Sequence, residues 1–331
     1  MNVVAFPNPS GSRYWRLQDP FKYLRKLDVD ARICETGIDE SVAQWADIYV
    51  LQGVVDKQGI ALLYAYQQEY GKKIVVEQDD YIEVEEGNVH KIEHDKTGAY
   101  ETIKKTMEIA DGVTTTTKYL ADKLFEYNKN VCVLPNYLDL SRWDLPKKRN
   151  DSKTLRIGWA GSATHLEDMR SVEKPLKRIL NDFPVQLVIL GDPRIADLFK
   201  GYNVEFMLGT EFEAWPERLN SLRLDIGIAP LRDTEFCRCK SNIKWLEYSV
   251  AKIPGVYSPT VYFMRHFEPD LGFIARSEDD WYNQLKLLIE NPLLRNDMAH
   301  ASYTMVTSRY SLEKHADEWV DFYQDLTPSQ K

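Results

Sequence analysis

The sequence is short of cysteine, with four thiols in 331 residues. That is too few for a disulfide framework in a chain of this length, so a reducing, cytoplasmic setting is expected. Long apolar runs are missing as well. The stretch from Val185 to Leu190 is typical of the longest, far below the ~18 residues of a membrane span. The first eleven residues hold no basic region followed by an apolar one, so no secretory signal is read there. Positive charge is in deficit, with 42 Lys and Arg against 51 Asp and Glu, a net charge of −9. A net anion lacks the footprint of a general nucleic-acid binder, whose affinity comes mainly from neutralised phosphates. After the first apolar run the chain reads PNPSGS at residues 7–12, not G-x-G-x-x-G. This counts against a nucleotide-sugar epimerase or dehydrogenase built on a dinucleotide fingerprint. No Ser/His/Asp or reactive-cysteine arrangement is visible, and Cys237-x-Cys239 has no second pair or histidine spacing to make a zinc site. Both thiols read as small packing residues.

What the chain does have is ordinary globular composition, 44% hydrophobic and 28% charged, at a length that suggests two domains. Short Val- and Ile-rich runs at residues 2–6, 46–51, 73–77, 112–115 and 131–134 read as strands. Helical stretches lie between them at 20–27, 58–70, 100–110 and 118–127. The second half repeats the alternation, with strands at 155–159, 186–190, 204–207, 226–230, 255–257 and 273–274. Strands apolar throughout and separated by helices are what a parallel sheet covered on both faces requires. The charged stretch LPKKRNDSK at 145–153 reads as the linker. The expectation is therefore a first α/β domain at 1–150, a second at 151–310, and a closing helix at 311–331. In that helix Leu312, His315, Ala316, Trp319, Phe322 and Tyr323 form one apolar stripe, and Ser311 is its candidate cap. Pro175 argues against one unbroken helix after residue 166.

In open parallel sheets, ligands bind outside the carboxyl ends of the strands. One such loop is Gly158-Trp159-Ala160-Gly161-Ser162. Gly161 and Ser162 leave backbone N–H groups for an anion at a helix start, and a plain tight turn is the other reading. A second is the segment DIGIAPLRDTEFCRCKSNIKWLEYSVAKIPGVYS at 225–258. Ser241 or Asn242 caps its helix, and Arg238, Lys240 and Lys244 converge on that junction, which suits a diphosphate. Glu247 lies one helical step from Lys244 and is placed to accept from a ribose diol; a surface ion pair between the two is the alternative. His165 and Asp168, three apart, share a helical face. Trp159 and Trp245 read as core.

These residues resemble GT-B glycosyltransferases of the family 4 type. The resemblance rests on the paired α/β units, the GWAGS loop and the K-S-N-I-K-W-L-E-Y-S…I-P-G-V-Y-S segment. It extends to ADGVTTTTKYLADKL and VLPNYLDLSRW, and to the closing YSLEKHADEWVDFY, similar to the helix that in this fold crosses back to the first domain. The resemblance implies two Rossmann-like domains facing each other across a cleft. It also implies transfer of a sugar from a nucleoside diphosphate donor to an acceptor hydroxyl, with retention of configuration, and no metal or resident cofactor. Glu247 matches the second glutamate of the family's E-x7-E motif, which binds the donor ribose. Cys239 stands where the first would be, and Glu235 in the same loop is a candidate substitute. Many relatives hold the diphosphate with an Arg and a Lys after the first strand of the second domain. Here that loop offers Ser162, Thr164 and His165, so Lys240 and Lys244 are the candidates for the missing charge.

In the first domain, Asp79 or Asp80 stands where many relatives place His-Asp, as the group that takes a hydroxyl proton or orients the sugar. A solvated acidic loop is the other reading, since residues 77–95 carry eight carboxylates against Lys91 alone. That charge makes DNA an unfavourable acceptor. Gly11, Ser12 and Arg13, with Arg16, sit where the fold brings the first domain up to donor and acceptor. A glycan, lipid, protein or small-molecule acceptor all remain open. So does a catalytically silent nucleotide- or glycan-binding protein on the same scaffold.

Overall fold

The computed structural model describes residues 1–8, 11–35, 39–53, 57–83, 91–148, 150, 152–209, 211–261 and 267–327, without the side chains of 92–94. Within the acidic stretch 77–95, Glu85, Glu86 and the side chain of Glu93 thus lie outside the described residues, as does the end of the chain beyond 327.

Strands β1 (Asn2–Phe6), β2 (Asp30–Ile33), β3 (Ile48–Gln52), β4 (Lys73–Glu77), β5 (Gly112–Thr115) and β6 (Val131–Val133) form one sheet, in the order β2-β1-β3-β4-β5-β6. Strands β7 (Leu155–Ala160), β8 (Val185–Gly191), β9 (Val204–Leu208), β10 (Ile226–Ala229), β11 (Gly255–Tyr257) and β12 (Phe273–Ile274) form a second, in the order β12-β11-β10-β7-β8-β9. Every pairing is parallel. Central strands such as β1 and β8 are buried because helices cover both faces, which is why their sequences are apolar without alternation. Strand β2 is absent from the sequence expectation: it is an edge strand, and of DARI only Ala31 is buried, so no apolar run marks it.

Strand order reverses between β1 and β3 in the first sheet and between β7 and β10 in the second. Crossover helices leave to opposite faces at such points, and a crevice opens at the strands' carboxyl ends. The fold thus has two crevices, one per unit.

The chain's end joins the units. Tyr310 closes the helix Pro292–Arg309, and the Leu138 N–H donates to its carbonyl at 2.8 Å. The Leu312 N–H in turn donates to the Leu138 carbonyl at 2.9 Å. The two crossings between units are therefore pinned to each other. This backbone exchange breaks the single helix expected beyond Ser308: a short turn at Leu312–Lys314 precedes the helix Asp317–Leu326, and the Ser311 side chain makes no cap. The apolar stripe behaves as its spacing requires. Leu312, Ala316, Trp319, Phe322 and Tyr323 pack with Val3, Leu17 and Phe21 of the first unit. Pro175 sits in the first turn of the helix Glu173–Asp182, after a break at Val172. Among the described residues, no helix is long and apolar enough to cross a membrane.

Candidate active site

The two crevices open on one cavity of about 570 Å³. The first unit contributes Ser12 after β1, Asp79 and Asp80 after β4, Thr116 after β5 and Asn136 after β6. The second contributes Gly161, Ser162 and His165 after β7, Asp192 after β8, Leu231 after β10 and the start of the helix Ile243–Val250.

On the second unit's side the centre is Glu247, 2% exposed. Its Oε1 accepts from the Trp215 indole N–H at 2.9 Å and its Oε2 from the Lys244 ammonium at 2.9 Å. That ammonium also lies 5.1 Å from the centroid of the Trp215 ring. The pair is real, with a buried carboxylate and a partly exposed ammonium at the cavity wall. His165 Nδ1 is 2.9 Å from Asp168 Oδ2, as their shared helical face implies, and the Arg232 amide donates to Oδ1 at 2.9 Å. Burial pushes the Asp168 carboxyl up, but the His165 and Arg232 contacts outweigh it and hold it below its ordinary range.

Gly161 departs from expectation. Its amide donates to the Leu190 carbonyl at 3.1 Å, inside the sheet, and is not left for an anion. Both glycines serve close approaches instead: a Cβ on Gly161 would stand 2.6 Å from the Trp159 ring, and one on Gly191 (φ +143°) 2.0 Å from the Gly161 carbonyl oxygen. Gly191→Ala is expected to lower stability by roughly 1–3 kcal/mol through this clash and the backbone strain. A fall in the midpoint of thermal unfolding checks it. Ser162 hydrogen-bonds with Thr164 across the loop at 2.6 Å. Asn242 begins the helix Ile243–Val250 without a side-chain cap bond, and Ser241 Oγ accepts from Asn136 Nδ2 of the first unit at 2.8 Å.

On the first unit's side Arg16 is fully committed to its own wall. Its Nε and Nη2 donate to the Glu77 carboxylate at 2.7 and 3.1 Å. Its Nη1 donates to the Leu134 carbonyl at 2.7 Å and to Asn136 Oδ1 at 3.1 Å. Across the cleft, Lys240 Nζ lies 2.9 Å from each oxygen of Asp80. Burial disfavours that ammonium, yet Asp80 and Asp79 more than offset this and its pKa stands above the ordinary value. Asp79 is pushed up to about 7, first by burial and then by the negative charge of Asp80 and Glu77. A raised carboxyl pKa favours the folded state fully below the unfolded value and loses that contribution as pH climbs through the folded one. Asp79→Asn is therefore expected to raise the unfolding midpoint relative to wild type more at about pH 8 than at about pH 5. Thermal scans of both proteins at the two pH values check the sign.

Four sequence candidates lie off the cavity wall. Arg238 pairs with Asp233 at 2.7 Å. Glu235 is held by Lys123 at 2.6 Å and by the Tyr119 hydroxyl at 3.1 Å, so in this arrangement it does not stand in for the missing glutamate. Arg13 faces Glu35 at 3.6 Å. Gly11 packs beneath Phe212, whose ring a Cβ would strike. Cys239, fully buried, packs into the first unit's core beside Val76, Ile103 and Leu120, and burial pushes its thiol up to about 12. Trp159 and Trp245 are buried as expected, although both also touch the cavity. Trp215, Glu77 and Asn136 were not singled out by sequence; their partners lie 32, 61 and 105 positions away, with no local spacing to reveal them.

No protein-family profile matches the sequence, and no curated protein matches it. The likeness is in three dimensions. The chain is similar to a glycosyltransferase from Rickettsia africae ESF-5, with TM-score 0.70, 12% identity and 99% of each chain covered. It is similar to Anabaena HepE in complex with UDP-glucose, with TM-score 0.72, 10% identity, and 98% of this chain and 100% of that one covered. It is also similar to a putative UDP-N-acetylglucosamine 2-epimerase from Listeria monocytogenes, with TM-score 0.61, 12% identity, and 100% and 97% covered. Together with the two parallel six-stranded sheets, these matches establish the GT-B fold.

Proposed function

We propose that the chain is a glycosyltransferase of the family 4 type, moving a sugar from a nucleoside diphosphate donor to an acceptor hydroxyl with retention of configuration. The observation that carries this reading is the shared cavity, with Glu247 and Lys244 on the second unit's wall facing Asp79 and Asp80 on the first. In this reading Glu247, fixed by Trp215 and Lys244, uses its remaining lone pairs for the ribose diol. Lys244 and the loop Gly161–His165 face the diphosphate, where negative charge grows as the glycosidic bond lengthens. The acceptor oxygen forms its bond to the anomeric carbon. The bond from that carbon to the diphosphate oxygen breaks, and the nucleoside diphosphate departs with the electron pair. The acceptor's proton passes to a phosphate oxygen of the leaving group, so no protein nucleophile is consumed. Lys240–Asp80 and Asn136–Ser241 bridge the units over the cavity, which limits water and hence donor hydrolysis.

The similarity to HepE in complex with UDP-glucose makes uridine diphosphate sugars the first donors to try. Calorimetry against a panel of nucleotide sugars, with nucleotide release followed with and without acceptors, tests the reading. Acceptor-dependent release with a glycosylated product is expected. Binding without turnover on any acceptor would favour the silent scaffold, and interconversion of the nucleotide sugar itself would favour an epimerase.

A further inference from the structure

We propose that the acceptor is an uncharged polyhydroxy compound, a carbohydrate whose free hydroxyls donate to Asp79, and that phosphorylated acceptors are excluded. This rests on the glycosyl-transfer reading and narrows it to a substrate class.

The positive charge on the acceptor side is already committed to protein partners. Arg16 is 1% exposed and directs four N–H bonds to Glu77, Leu134 and Asn136. To grip a phosphate it would have to abandon a buried carboxylate, which is strongly unfavourable. Arg13, the other arginine of that loop, faces Glu35 and does not line the cavity. Lys240 reaches across the cleft, but both of its short contacts are to Asp80.

Carboxylates face the acceptor side of the cavity instead. Asp79 and Asp80 present carboxylate oxygens, with the Glu77 carboxylate behind them. Behind this wall, Gln52 donates to the Ser12 hydroxyl at 3.2 Å and Gln78 to the Asp80 carbonyl at 2.7 Å, bracing the residues that do line the cavity. The wall is therefore rich in hydrogen-bond acceptors and poor in available cations. Sugar hydroxyls bring the donors such a wall lacks. A phosphate brings only further acceptors and a negative charge that the aspartates repel.

The test uses the full chain with the donor found by calorimetry. Neutral methyl glycosides of glucose, galactose and mannose are compared with the 6-phosphates of the same glycosides and with a short single-stranded oligonucleotide. At least one neutral glycoside is expected to show a kcat/KM tenfold or more above its 6-phosphate, with no transfer to the oligonucleotide. Asp79→Asn is expected to raise the acceptor KM about tenfold, and Asp79→Lys to narrow or reverse the preference against the 6-phosphate. Donor affinity, measured on each variant, reports separately on folding and on the donor half. Equal or better use of the 6-phosphates or the oligonucleotide would overturn the inference. So would an unchanged acceptor KM in Asp79→Asn, or a bound donor with no transfer to any neutral glycoside. Failure to bind any nucleotide sugar would instead remove the glycosyl-transfer reading on which the inference stands.

Discussion

Replacing Glu247 with alanine is expected to weaken nucleotide-sugar binding roughly tenfold to a hundredfold, the range for losing a hydrogen-bonded charged group. The carboxylate is buried and each of its oxygens is already fixed, one by the Trp215 indole and one by the Lys244 ammonium. Such a carboxylate offers its remaining lone pairs in set directions, so little ordering is left to do when a diol arrives. The variant also strands the indole N–H and the ammonium at the cavity wall, which lowers stability. Glu247→Gln separates the two effects, because it keeps the side-chain volume and an oxygen for Trp215 while losing the charge. Calorimetry alongside thermal unfolding decides between them: a donor affinity close to wild type in a folded Glu247→Ala protein would remove Glu247 from the site.

The second large effect is expected at Lys244. Its ammonium is held between the Glu247 carboxylate and the face of Trp215, at the start of the helix Ile243–Val250, where the backbone also favours negative charge. A fixed cation stabilises a departing diphosphate more than the bound donor, because charge accumulates on the phosphate only as the bond breaks. Lys244→Ala should therefore cost roughly 100- to 1,000-fold in kcat, with a smaller change in KM. Steady-state kinetics with saturating acceptor check the split. A raised KM at unaltered kcat would assign the lysine to ground-state binding alone.

The fold was legible where one physical signal dominated. Strands buried on both faces are marked by apolar runs, and β1, β4, β5 and β11 stand at the expected residues, as does the short, half-buried edge strand β12. The edge strand β2 was not, because half of it meets solvent. The C-terminal stripe announced its burial through spacing, but not the break at Tyr310, which depends on the Leu138 backbone far away in sequence. At the site, the rule that ligands lie beyond strand carboxyl ends brought out Ser162, Lys240, Lys244 and Glu247, helical spacing brought out His165, and the resemblance pointed to Asp79 and Asp80; all of them line one cavity. What a linear reading lacked was partnership. Arg16 looked available until Glu77 was seen to hold it, and Glu235 until Lys123 and Tyr119 were. Lys240 carries the expected charge, but its nearest partner is a carboxylate on the opposite unit. Cys239 stands where the resemblance would place a glutamate, and packing accounts for the difference: the side chain fills the first unit's core, where a carboxylate would be desolvated.

The most direct test is a crystal structure of the protein soaked with the nucleotide sugar that calorimetry selects. The account predicts the ribose within hydrogen-bonding distance of Glu247, the diphosphate between Lys244 and the Gly161–His165 loop, and the sugar turned toward Asp79. A nucleotide bound elsewhere on the molecule, with this cavity left to solvent, would contradict it.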